Sequence, residues 1–161
     1  APGKCSGSGV PPPGPCECAV PTPERVAGCG HGWSAGAAEA EPRFKQALDL
    51  QQRHGMANRH VTLNNLGTVC MLQDDPKRAL AYFQEARTRA RQARDQPNLA
   101  IALNNIGDAS RGLGRLDQAL QAYDEALPIV RGLGHRRMEG VLLNNRAVVR
   151  LEQHRPVEAT A

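Results

Sequence analysis

With 161 residues and only 3% aromatic side chains, the chain is long enough for one modest domain whose core must be built from Leu, Ala, Val and Ile. A formal charge of +4, with acidic and basic residues interspersed, calls for no nucleic-acid partner. No apolar run approaches the roughly 18 residues that cross a bilayer, and a basic-then-apolar secretory leader is missing, so a soluble chain is expected.

Residues 1–35 are rich in Pro, Gly and Ser and carry almost no apolar periodicity. Such a segment buries too little surface to offset its ordering entropy, so a flexible tail is expected, with Pro11 to Pro13 extended as polyproline II. Four of the five cysteines, Cys5, Cys16, Cys18 and Cys29, fall in it. Cys16-x-Cys18 and Cys29-x-His31 offer side chains that zinc accepts. Their single-residue gaps strain a shared tetrahedral site, so the expectation is a thiol-bearing tail, with no metal and no cofactor. An odd cysteine count without a leader points to reduced thiols and a cytoplasmic setting. Because the chain begins with Ala and stops just inside a new helical pattern, a processed chain or fragment is expected.

From Ala37 onward a repeat emerges. Leu63-Asn64-Asn65-Leu66-Gly67 returns forty residues later as Leu103-Asn104-Asn105-Ile106-Gly107, and again as Leu143-Asn144-Asn145-Arg146-Ala147. Ala79, Phe83 and Ala86 correspond to Ala119, Tyr123 and Ala126, and an earlier copy survives as Ala40, Phe44 and Ala47. High helix propensity and missing β-branched runs make the class all-α, and a period of this size predicts a solenoid of helix pairs. The expected boundaries are a partial repeat at 36–57, repeats at 58–96 and 97–136, and an incomplete repeat at 137–161. Pro97 suits a first helical turn, and Asp75 caps a helix that begins at Pro76. Gly114 and Gly134 supply left-handed stops, the helix between them running from about Leu116 to Leu133.

These residues resemble the tetratricopeptide repeat, whose signature places W-x2-L-G-x2-Y before A-x3-F. Leu63-x2-Leu66-Gly67-x2-Cys70 with Ala79-x3-Phe83 follows it, as does Leu103-x2-Ile106-Gly107-x2-Ser110 with Ala119-x3-Tyr123. The beat of forty exceeds the common length of about 34. It is similar to the lengthened repeats of kinesin light chains, G-protein-signalling scaffolds and bacterial regulators, and Glu39 to Leu50 looks like a second helix of the kinesin-light-chain kind. The third copy departs, with Arg146 at an apolar position and Ala147 for glycine. The resemblance implies a right-handed superhelix whose first helices line a concave groove. An array this short is near the minimum for stability, with leucines exposed at both ends.

At 100° per residue, Leu63, Leu66, Gly67 and Cys70 share the face packed on the partner helix, which makes Cys70 a small buried hydrophobe. Asn64, Thr68 and Met71 form a neighbouring stripe. Its equivalents are Asn104, Asp108 and Arg111, then Asn144, Val148 and Leu151. In the resembled family this stripe faces the groove. Asparagines there can match the N–H and C=O groups of an extended peptide, or stitch successive first helices together, and both uses are compatible. The basic clamp that seizes a terminal carboxylate in some relatives is replaced by Val61, Ile101 and Val141. Arg87, Arg91 and Arg94 read as a solvated helix face, and no nucleophile–base or phosphate-cradling constellation points to catalysis. The expected function is a protein-interaction scaffold binding a peptide or partner helix in the groove. The alternative is a regulatory arm of a larger enzyme or NTP-dependent regulator.

Overall fold

The computed structural model describes residues 23–56 and 58–154, with side chains from Gly36 onward except that of Ala38. The chain divides into two units, Ala1–Gly30 and His31–Ala161, and the second carries the repeat. Among the described residues there are six helices and no strand: α1 (Pro23–Arg53), α2 (Arg59–Leu72), α3 (Pro76–Gln92), α4 (Gln96–Gly112), α5 (Leu116–Gly132) and α6 (Arg136–His154). This is an all-α solenoid of helical hairpins.

Local chemistry sets the helix ends. Asp75 Oδ1 accepts the Arg78 backbone N–H at 3.0 Å, and Asp95 Oδ1 does the same for Asn98 at 3.1 Å, so both prolines sit in capped first turns. Gly114 and Gly134 end their helices with φ of +71° and +68°. The same left-handed turn recurs at Asp74 (φ 57°) and Arg94 (φ 55°), where no glycine announces it. Arg94 therefore leaves the helical face on which it was expected beside Arg87 and Arg91, because α3 stops at Gln92. A side chain in that backbone region costs about 1–2 kcal/mol, which the flanking packed helices must offset.

Within each hairpin an aromatic ring lies on a glycine. Phe83 covers Gly67 and Tyr123 covers Gly107, so closely that a methyl at either glycine would overlap the ring. Alanines that are wholly buried, among them Ala79, Ala86, Ala119 and Ala126, let the backbones approach around these rings. The interior is thus a chain of small apolar clusters between successive helices. One is centred on Tyr123, Leu103 and Leu142, another on Phe83 and Ile106, and a third on Leu63. Cys70 is fully buried in the second, and burial pushes its thiol up.

α1 supplies the earlier copy. Ala40, Phe44 and Ala47 are half-buried on it, and Leu48 packs with Tyr82 on the Leu63 cluster. Its backbone reaches back to Pro23, into the segment expected to be tail, while residues 1–22, with Cys5, Cys16 and Cys18, lie outside the described residues. The side chains of Cys29 and His31 lie outside them too. Glu41 ties α1 to the array by pairing with Arg78 of α3 and with Lys45 of its own helix at 2.7 Å. Lys45, and then Arg78, hold the Glu41 carboxyl at about 2 instead of 4.5. A depressed carboxyl contributes stability that is complete above its unfolded value and is lost as pH falls through its folded one. The attachment of α1 should therefore weaken between pH 4.5 and about 2, and also with added salt because the pair is solvent-accessible. Amide exchange in α1 should accelerate over that window relative to α4; equal acceleration in both would refute the link.

α6 repeats the pattern with a change of partner. Leu142 and Val149 are buried, yet Leu143 is 41% exposed where Leu63 and Leu103 are fully covered. Arg146, at the position occupied by Leu66 and Ile106, reaches across to Asp124 of α5 at 3.3 Å.

Candidate partner-binding groove

The first helices form one layer: α2 touches α4, and α4 touches α6. The second helices α3 and α5 are joined by long side chains, Arg91 and Arg87 both reaching Glu125. The closer spacing of α2, α4 and α6 makes theirs the inner layer. Along α2, residues 61, 65, 68 and 72 follow the i, i+4, i+7, i+11 spacing of a single face, and all four are exposed. The corresponding faces of α4 and α6 carry Ile101, Asn105 and Asp108, then Val141, Asn145 and Val148. Val61, Ile101 and Val141 stand in register on this surface at 39%, 39% and 45% exposure.

Each asparagine copy has its own surroundings. Asn64 is only 5% exposed, and neither polar atom of its amide has a protein partner. Asn104 is half-buried and Asn144 is exposed. Thr68 is exposed, its hydroxyl donating to the Asn64 carbonyl at 3.0 Å; Met71 is half-buried beside it. Arg111 is exposed and pairs with Glu152 of α6 at 3.1 Å.

Asp108 is the centre of a network joining three helices. Its Oδ1 accepts the Tyr123 hydroxyl of α5 at 2.7 Å and the Asn145 amide of α6 at 3.2 Å, while Oδ2 accepts from Asn104 at 3.1 Å. Asn145 also donates to Asn104 Oδ1 at 3.2 Å, so stitching between first helices occurs here, made by the second asparagine of the third copy. Burial raises the Asp108 carboxyl above the usual carboxylate range even though the Tyr123 bond opposes it. Burial, and then Asp108, push the Tyr123 phenol up in turn.

One joint earlier the network is missing. Phe83 stands in place of Tyr123 and Thr68 in place of Asp108, so neither the hydroxyl nor the carboxylate is available. A pocket of about 180 Å³ opens there, lined by Thr68, Met71, Phe83, Asn105 and Asp108. The N-terminal end of the same joint is tied by His60, buried on α2, whose Nε2 lies 3.0 Å from Asp95 Oδ2.

Sequence reasoning missed Tyr123, Asn145 and Asp95 as members of the polar ties beneath and between these helices. One signal was available for the first: tyrosine accompanies aspartate in one copy, and phenylalanine accompanies threonine in the other. Among the described residues no group of three His, Cys, Asp or Glu side chains is placed to hold a metal. No described helix is long and apolar enough to cross a membrane.

Two stretches, residues 58–132 and 98–161, match the family model of the tetratricopeptide repeat, and each begins at the start of a hairpin seen in the structure. Repeats of this kind generally mediate protein–protein interaction. No curated protein matches the sequence. With the period, the glycine–aromatic packing of the two full hairpins and a family match over residues 58–161 in agreement, the chain belongs to the tetratricopeptide repeat family.

Proposed function

We propose that the protein is a non-catalytic interaction scaffold that holds an extended segment of a partner protein along the inner face of α2, α4 and α6. The observation that carries this reading is the solvent-facing stripe itself. Three aliphatic side chains in register, Val61, Ile101 and Val141, border polar groups at Thr68, Asn104, Asp108, Arg111 and Asn144. Apolar side chains of a bound segment would be covered by the aliphatic column, and its backbone groups would meet the amides and the hydroxyl, each such bond contributing about 0.5–1.5 kcal/mol. Met71 supplies an adaptable wall. Asn64, being buried, would act by positioning the helix that carries Thr68.

A display library of random extended peptides panned against the full chain tests the reading, with recovered sequences synthesised and measured by fluorescence anisotropy. Joint Ile101→Glu and Val141→Glu substitution should weaken the recovered peptides by about tenfold or more, since two exposed apolar contacts are lost. Gln121→Glu, on the exposed side of α5, should leave binding unchanged. Equal affinity in all three proteins would refute the groove as the docking face.

A further inference from the structure

The pocket beside Phe83 has walls and a floor of different chemistry. Met71 and Phe83 provide apolar surface, Thr68 lies beside them, and Asn105 and Asp108 close the end contributed by α4. Asp108 there is an unusual carboxylate. It takes three hydrogen bonds, all from neutral donors, and among the described residues no cationic side chain comes within ion-pair distance of it. Its nearest basic neighbour in sequence, Arg111, pairs with Glu152 and acts on Asp108 only from beyond ion-pair distance. A carboxylate has about four acceptor positions, so Oδ2, with Asn104 alone, keeps room for another donor. A partly buried charge with no cation in direct contact is costly, and here it lies against open space lined mainly by hydrocarbon.

We propose that this pocket receives a lysine side chain from the bound partner, its methylene stem against Met71 and Phe83 and its ammonium on Asp108 and the Asn105 amide oxygen. The inference rests on the groove reading and gives that groove one residue-level preference. Charge complementarity selects this occupant over a plain aliphatic one, because an aliphatic chain of equal length would leave Asp108 as unpaired as before. An acidic side chain would face like charge. The second joint offers no such place, since Tyr123 and Asn145 fill the equivalent region with their own donors.

The test uses small probes and the full chain. Nα-acetyl-lysine methylamide and its norleucine counterpart are titrated while the amide and methyl resonances of residues 68, 71, 83 and 105 are followed by NMR. The lysine probe should give saturable shifts confined to these residues, with an affinity about tenfold or more above that of norleucine, as a charge-assisted hydrogen bond provides. Asp108→Asn should reduce the lysine probe to the norleucine level. Because that substitution also touches the Tyr123 network, Thr68→Arg provides an independent arm. It places a guanidinium beside Asp108 from an exposed position, and should abolish binding of the lysine probe while melting stays cooperative. Equal affinity for the two probes, or undiminished lysine binding in Thr68→Arg, would overturn the proposal. So would shifts scattered over the surface. Any of these results leaves the peptide-display outcome free to support the groove, so the two readings fail separately.

Discussion

Replacing Gly107 by alanine should destabilise the protein by about 1–3 kcal/mol, the usual cost of overpacking a filled interior. The added methyl would fall within the Tyr123 ring, which is fully buried and anchored through its hydroxyl to Asp108, and so cannot swing aside. Helix propensity acts in the opposite direction by about 1 kcal/mol, so the net loss measures how tightly the hairpin is closed. Gly140, also inside a helix, has nothing within 4 Å of where its methyl would stand. There the same substitution should stabilise by about 0.5–1 kcal/mol. Chemical denaturation of the two variants should give opposite signs; a stabilised Gly107→Ala protein would mean that the ring does not hold the position described.

Truncating Tyr123 to alanine should cost about 3–5 kcal/mol, the range for emptying a buried aromatic site. Tyr123→Phe divides that loss, because it keeps the ring on Gly107 and removes only the donor to Asp108. We expect about 1.5–3 kcal/mol, as for a hydrogen bond to a charged group. The pH dependence identifies the cause. The folded carboxyl of Asp108 is raised by burial, so its ionised form is the penalised one, and its contribution to stability is poorest above that folded value and recovers as pH falls through it. Protonated Asp108 has less need of the tyrosine donor, so the deficit of Tyr123→Phe should shrink from neutral to mildly acidic buffer. A deficit independent of pH would assign the hydroxyl a purely steric role.

Much of this architecture was legible in the chain, for reasons that can be named. Gly67 and Gly107 mark places where a ring must approach a backbone, and Phe83 and Tyr123 recur at one fixed offset from them. Asp75-Pro76 is a local signal because a cap and a first-turn proline act within a few bonds of each other. Cys70 follows from its place on the packed face. The left-handed residues Asp74 and Arg94 were not readable, since in both the strain is carried by tertiary packing and no glycine reports it. The hidden position of Asn64 and the stitch made by Asn145 depend on how far successive first helices are rotated about one another. A helical wheel drawn for a single helix contains no such information. The reach of Arg146 to Asp124 escaped for the same reason, as the two residues belong to different hairpins.

The two joints of the inner layer are fastened unequally. Between α4 and α6 the links at Asp108 and at Arg111–Glu152 lie from the middle of both helices onward, whereas between α2 and α4 the tie at His60–Asp95 lies close to the start of both. A bending load would therefore open the first joint at its far end, with His60 as the pivot and the ends of α2 and α4 fanning apart, whereas the second joint is held at that end. Fanning of α2 from α4 would widen the Phe83 recess, which lies at that far end, so mechanical tension and occupancy of that recess would be coupled.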